Sequence, residues 1–215
     1  MIKILLNKNS GPSHHSGIGG YTIIETMIAV SLFIVITTIS MGALLNANML
    51  HRKAQSMRSI MDNLNFVMED MSRNLRIGYN YRCFPSGQSI PTGDDSSMDD
   101  PRSCASGWAI AFEYAYGNPS INAYNDQWVY YISGSGKIFK STSGPYNSAS
   151  FTQLTPDEVV IDTSASSFSV LGAESITTNS QQPFVTIKLV GKITYQNVDT
   201  PFSLQTSVSQ RLIDI

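Results

Sequence analysis

The chain has 215 residues, of which 42% are hydrophobic and 14% are charged, and its formal net charge is −2. This length suits one domain with an appendage, and the near-neutral charge argues against a broad electrostatic surface for nucleic acid. The three histidines are His14, His15 and His51, so the sequence from Arg52 to Ile215 contains none. That region therefore excludes Ser–His–Asp and Cys–His catalysis and every His-ligated metal site.

Residues 1–20 form a leader ahead of a long apolar segment. The leader has two lysines and no acidic residue, and it ends in Gly17-Ile18-Gly19-Gly20. From Met27 to Leu45, 14 of 19 residues are apolar. A helix over residues 21–45 would be about 38 Å long, enough to cross a bilayer. A secretory signal places its cleavage site after a shorter apolar stretch, so removal of this leader would instead leave the apolar segment at the new N-terminus.

One carboxylate, Glu25, lies at the entry to the apolar segment. A charge near the centre of a membrane helix costs about 2–3 kcal/mol on insertion scales, and less near an end. A carboxylate here predicts a function that involves a partner group. The alternative is that Glu25 reaches the lipid head groups and has no role.

The stretch Gly20-Tyr21-Thr22-Ile23-Ile24-Glu25, with the apolar segment behind it, resembles the N-terminal signal of type IV pilins and pseudopilins. Tyr21 stands where the family usually has Phe, and it keeps the ring. The resemblance implies that a prepilin peptidase cleaves after Gly20 and N-methylates Tyr21. It also implies partners: other pilin subunits and an inner-membrane assembly platform. Within the membrane, the Glu25 carboxylate could neutralise the Tyr21 ammonium of a neighbouring subunit.

Basic residues flank the apolar segment on both sides. Lys3 and Lys8 precede it, and Arg52, Lys53 and Arg58 follow it, so the positive-inside rule alone does not favour export of the C-terminal part. The motif and the cysteines favour a single-pass inner-membrane protein with an extracytoplasmic C-terminal domain, which would later enter a surface filament.

The helix is expected to continue beyond the membrane segment. No proline occurs between Gly20 and Phe84, and apolar residues at three- and four-residue steps predict an amphipathic face. That face comprises Leu50, Ala54, Met57, Met61, Leu64, Met68, Met71 and Leu75. Gly78 is the predicted C-cap, which gives one helix over residues 21–77.

The two cysteines, Cys83 and Cys104, are predicted to form a disulfide if the domain is exported. Free thiols would require a cytoplasmic domain, and a metal site would require two further ligands. The intervening stretch carries four acidic residues that could bind Ca²⁺ or form a solvated acidic loop. These are Asp94, Asp95, Asp99 and Asp100.

Beyond the cysteines, alternating large residues predict strands separated by polar turns. The predicted strands cover residues 108–116, 128–133, 137–140, 159–161, 167–171, 184–190 and 202–209. We therefore expect an α+β fold in which the long helix packs on an antiparallel sheet. The predicted organisation is a cleaved leader (1–20), the transmembrane half of the helix (21–45), its amphipathic half (46–78) and a β-rich domain (79–215).

Four further segments are similar, more loosely, to minor pilins and J-type minor pseudopilins. They are residues 66–76, 154–159, 182–187 and 204–211. The leading hypothesis is therefore a minor pilin with no enzymatic activity and no cofactor. The first alternative is a type II secretion or competence pseudopilin. The alternative from another class is an uncleaved single-pass membrane protein with an extracytoplasmic ligand-binding β-domain.

Overall fold

The computed structural model describes residues 20–92, 98, 100–116, 126–174, 179–195 and 198–211. The chain divides into two compact units, Met1–Leu50 and His51–Ile215.

The described residues form one helix and nine strands. Their bounds are α1 Ile23–Ile77, β1 Tyr79–Pro85, β2 Cys104–Glu113, β3 Gln127–Ile132, β4 Ile138–Ser141, β5 Thr152–Gln153, β6 Val159–Ile161, β7 Ser167–Leu171, β8 Phe184–Tyr195 and β9 Val198–Ser209. The pairings between these strands are antiparallel. The predicted α+β fold is thus confirmed.

The strands belong to one sheet with the order β5-β4-β3-β2-β7-β8-β6. β1 adds to β2, and β9 adds to β8. The β8–β9 hairpin is continuous over 12 residue pairs, from Phe184–Ser209 to Tyr195–Val198.

Within the second unit, one face of the helix packs on the sheet. The buried helix residues are Ile60, Leu64, Val67, Met68, Met71 and Leu75. They share a core with sheet residues such as Ile110, Phe112 and Ile187. The predicted apolar face is confirmed from Met57 onward, but Leu50 and Ala54 are exposed. Ile60 and Val67 were missed because the buried stripe is wider than a single row of residues.

The opposite face of the sheet carries a second, smaller core. Ala109, Ala111 and Val129 lie at its base, and Met98 and Tyr146 cover them. Because alanine side chains are small, a hollow remains above the two alanines. One large side chain from each of two connecting segments fills it.

The helix ends at Ile77, as predicted, but Gly78 has a different role from the one expected. Its backbone φ is not among the positive values, whereas Asn80 has φ 56°. A Cβ on Gly78 would lie 2.3 Å from the Phe112 ring. Glycine is required here by the close approach of the ring and not by a left-handed cap.

Several strand limits differ from the prediction. β1 and β5 were not predicted, and the predicted strand 108–116 runs instead from Cys104 to Glu113. It ends at Glu113 because its β3 partner begins opposite, at Gln127. β8 and β9 are longer than predicted. Their pairing continues through glycine, charged and proline positions, which in the sequence resemble a turn.

Candidate functional site

The helix begins at a local capping arrangement. Thr22 Oγ1 accepts a hydrogen bond from the Glu25 backbone N–H at 3.4 Å, and Thr22 O accepts bonds from the N–H groups of Glu25 and Thr26. The pattern Thr-x-x-Glu is that of a capping box, in which the first side chain satisfies a free N–H of the first turn. This signal is readable in the sequence, and our sequence reasoning missed it.

Gly20 and Tyr21 lie just ahead of this cap. Tyr21 is 81% exposed, and no described atom lies within 4 Å of the position that a Cβ on Gly20 would occupy. Packing within the described chain therefore gives no reason for glycine at position 20. The prediction that Gly20 and Tyr21 form a processing site remains a prediction.

The apolar segment after the cap is a helix with its side chains exposed. Among the described residues this is the one helix long and apolar enough to cross a membrane, and its most apolar stretch has no buried side chain. Exposed large residues recur along it, from Ile23 and Ile24 to Met49 and Leu50. The segment thus presents apolar surface on all sides, as a membrane-spanning or helix-packed segment does.

Four hydroxyl groups in this segment bond to the helix itself. Thr26 Oγ1 donates to Ile23 O at 2.8 Å, and Ser31 Oγ donates to Ile28 O at 2.9 Å. Thr37 and Thr38 donate to carbonyls one turn back, on Phe33 and Ile34. No hydroxyl among these four needs water, so they are compatible with an apolar environment.

Glu25 lies exposed in the first turn of the helix. Its carboxylate is close to the positive end of the helix dipole, which favours a negative charge. The ion pairs in the described part of the chain are Lys140–Asp70 and Lys192–Asp199, and Glu25 belongs to neither. Its predicted partner, the Tyr21 ammonium, would belong to another subunit.

Cys83 and Cys104 form the predicted disulfide. Cys83 lies in β1 and Cys104 begins β2, and their Cα atoms are 5.7 Å apart. Gly107 faces both sulfurs: a Cβ there would lie 2.5 Å from Cys83 Sγ and 3.0 Å from Cys104 Sγ. The disulfide joins the ends of the segment that leads from β1 to β2.

The acidic cluster lies mostly outside the described residues. Asp94, Asp95 and Asp99 are not described, and Asp100 contributes its backbone carbonyl to Arg82 Nη1 at 3.1 Å. No group of three His, Cys, Asp or Glu residues in the described part of the chain could hold a metal ion. The Ca²⁺ site stays a prediction without structural support.

A polar network missed by the sequence reasoning fastens the helix to the sheet. Asp70 accepts hydrogen bonds from Tyr130 Oη and Lys140 Nζ, each at 3.0 Å. Asn74 Nδ2 donates to Asp70 at 2.9 Å and to Tyr130 Oη at 3.0 Å. Lys140 also lies 4.4 Å from the centre of the Trp128 ring. Burial and then the Asp70 charge raise the pKa of Tyr130 well above its usual range, so this phenol stays neutral and donates.

A cleft of about 820 Å³ opens where β1 begins and β9 ends. Five of its twelve lining residues carry side-chain amides, among them Asn80, Gln181 and Gln210, and most of its exposed lining surface is apolar. Glu174 is the charged residue of the lining, and its oxygens accept bonds from Ser103 N at 3.0 Å and Ser103 Oγ at 2.7 Å. Because Glu174 is its charged residue, the cleft suits an uncharged ligand better than an anion.

The comparisons with known proteins assign no family to the chain. No family model matches it, and neither a curated protein nor a solved structure matches it.

Proposed function

We propose that the chain is a minor subunit of a type IV pilus-like filament and has no catalytic activity. In this proposal a prepilin peptidase removes residues 1–20, and the mature chain begins at N-methylated Tyr21. The apolar helix holds the subunit in the inner membrane. The assembly platform then moves it into the filament, where the helices of other pilin subunits replace lipid.

The observation that carries the proposal is the exposed apolar helix that begins directly behind Gly20 and Tyr21. A soluble surface rarely exposes a large contiguous apolar patch, so this segment requires a bilayer or other helices around it. A plain membrane anchor gains nothing from an acid at its entry, and Glu25 lies there. A helix that moves from the membrane into a filament does benefit from this acid, because the carboxylate can pair with the new α-ammonium of a neighbouring subunit.

The disulfide supports an extracytoplasmic domain. Disulfides persist in the periplasm and on cell surfaces, whereas cytosolic thiols are kept reduced. Cys83 and Cys104 are paired, which agrees with export of the second unit. This argument outweighs the basic residues that follow the apolar segment, Arg52, Lys53 and Arg58.

The test is mass spectrometry of the native protein. Intact mass and N-terminal peptide mass would be measured on protein from membranes and from sheared surface filaments of the source cells. We expect a chain that begins at N-methylated Tyr21 and occurs in the filament fraction.

Two other outcomes of this measurement would contradict the proposal. A processed chain confined to the cell envelope would replace the pilus assignment with a secretion or competence pseudopilin. A chain that retains residues 1–20 in cells with an active prepilin peptidase would overturn both.

A second candidate function is favoured by the amide-lined cleft. In this alternative the chain is an uncleaved single-pass membrane protein whose β-domain binds an uncharged ligand between β1 and the end of β9. The intact mass separates the two candidates, because this alternative retains the leader.

A further inference from the structure

The outer edge of β9 carries unpaired backbone groups in a regular pattern. On the other side of β8, Thr194 N donates to Glu158 O and Val190 O accepts from Asp162 N, so the odd-numbered residues of β8 bond to β9. Through the pairing register, even-numbered residues of β9 direct their N–H and C=O groups to β8 and odd-numbered residues direct theirs outward. Two bonds beyond the strand agree with this alternation. Gln210 N donates inward to Pro183 O at 3.0 Å, and Arg211 N donates outward to Arg76 O at 2.8 Å.

The free part of this edge has two defined ends. Pro201 has no N–H to offer at one end, and the Arg211 N–H is already bonded to the helix at the other. Between them, the outward backbone groups of four residues have no hydrogen-bond partner in the described part of the chain. These residues are Ser203, Gln205, Ser207 and Ser209.

This stretch also lacks the usual protection of an edge strand. Natural edges are blunted by charges, prolines, bulges or a covering segment. Residues 203–209 include no charged side chain and no proline, and their pairing with β8 has no bulge. Such an edge is suited to the addition of another strand.

We propose that this edge pairs with β9 of a second copy of the chain, antiparallel and centred on Thr206. This register places Ser203 opposite Ser209 and Gln205 opposite Ser207, so each outward N–H and C=O finds a partner. It uses the whole free stretch, because Thr206 is midway between its ends. It also sets no like charges against each other.

Side chains on the core-facing side of the strand favour the same register. Leu204 and Val208 pack against the core but remain partly exposed. Pairing centred on Thr206 sets Leu204 of one copy opposite Val208 of the other, at two equivalent places. Cross-strand apolar pairs of this kind stabilise an antiparallel sheet.

The symmetry determines which copies can pair. A two-fold axis normal to the sheet reverses the direction of the helix residues 51–77 that pack on it. Copies that point the same way, as neighbours in one filament would, cannot make this contact. The pair therefore forms between copies of opposite polarity, and it rests on the geometry of the second unit, independently of the proposed function.

The test is cross-linking of the full chain in detergent micelles. Opposite residues of a non-hydrogen-bonded antiparallel pair have Cα atoms about 4.5 Å apart, which permits a disulfide. We expect Thr206→Cys to form a covalent dimer under mild oxidation. Thr200→Cys is the control on the same side of the strand, because its two copies would lie about 40 Å apart. Cross-linking should be several-fold lower in the control, and equal cross-linking in both would overturn the proposal.

A second pair of variants tests the backbone bonds. In the Thr206→Cys chain, Ser207→Pro removes an N–H that points away from β8, and Ser207→Ala keeps it. We expect the proline variant to lose the dimer and the alanine variant to retain it. Thermal unfolding and the native disulfide would be checked in each. Retention of the dimer in a folded proline variant, or no dimer from Thr206→Cys alone, would overturn the proposal. Intact mass of the same samples reports leader removal separately.

Discussion

Gly107 lies where the disulfide, β1 and β2 come together. A Cβ at this position would approach Cys83 Sγ, Cys104 Sγ and the Phe84 carbonyl, the last at 2.9 Å. Two of these three contacts are with atoms fixed by a covalent cross-link, so they cannot move away cheaply.

We expect Gly107→Ala to destabilise the protein by about 1–3 kcal/mol, the usual cost of overpacking a close-packed site. Gly134→Ala is the matched control, because no described atom lies within 4 Å of a Cβ there. The measurement is thermal unfolding of both variants of the full chain in detergent. Equal unfolding temperatures would show that the strands open to accept the methyl group.

Glu174 is expected to stabilise the fold to an extent that depends on pH. Hydrogen bonds from Ser103, first through its hydroxyl and also through its backbone N–H, hold the pKa of Glu174 below its ordinary value. A lowered folded-state pKa means that ionised Glu174 stabilises the fold above the unfolded-state pKa. This contribution is lost as the pH falls through the folded-state pKa.

The substitution Glu174→Gln should therefore lower the unfolding temperature at neutral pH, and the difference from wild type should disappear in acid. Glu158→Gln, at an exposed acid, provides the control. The check is a series of unfolding curves across the carboxyl titration range. A difference that persists unchanged in acid would mean that Glu174 acts through packing and not through its charge.

At the level of elements, the helix within the second unit is held by one face. Leu64 is fully buried, whereas Phe66, two residues later, is 71% exposed. Residues two apart in a helix do not share a face. Substitutions at these two positions therefore compare a buried and an exposed side chain in the same stretch of helix.

We expect Leu64→Ala to cost about 2–5 kcal/mol, since it removes buried methyl groups and leaves a cavity. Phe66→Ala removes a larger side chain and should change stability by no more than about 0.5 kcal/mol. Unfolding of each variant in detergent by a chemical denaturant provides the comparison. A large loss of stability from Phe66→Ala would show that the Phe66 ring contacts another molecule.

The elements differ in how well the sequence predicts them, and the reasons are physical. The helix was predictable from Ile23 to Ile77 because its pattern is local and no proline interrupts it. The hairpin β3–β4 was predictable because its turn is short and glycine-containing. β1 was not predictable, because its residues become a strand only through pairing with β2, which lies more than 20 residues away in the sequence.

The same distinction applies to the candidate site. The disulfide was predictable because the sequence offers one pair of cysteines. The network of Asp70, Tyr130 and Lys140 was not, since these residues meet only when β3 and β4 are placed against the helix. Gly20, Tyr21 and Glu25 are exposed, so their predicted roles rest on the sequence pattern, and the packing does not test them.

For the whole molecule, the proposed function requires the Glu25 charge, whereas the helix cap requires only hydrogen bonding. Gln at the third helical position can serve in a capping box as Glu does. Glu25→Gln therefore removes the charge and keeps the cap, whereas Thr22→Ala removes the capping oxygen and keeps the charge.

We expect Glu25→Gln to be cleaved after Gly20 normally but to fall strongly in the surface filament fraction, because the neighbour's ammonium loses its partner. Thr22→Ala should retain assembly to a much greater extent. N-terminal peptide mass and the amount of subunit in sheared filaments are the two measurements. Normal assembly of Glu25→Gln would show that assembly does not need the Glu25 charge.

The small alanines on the second face of the sheet have a consequence for how this molecule can change over time. The side chains of Met98 and Tyr146 pack in the same small core as Ala109 and Ala111. Beside Tyr146, the neighbouring residues Pro145 and Asn147 are exposed, so we expect these positions to tolerate substitution and insertion. We expect variation to accumulate beside Tyr146 while the helix-bearing face stays constant, which lets this part of the domain surface diversify without a cost in folding.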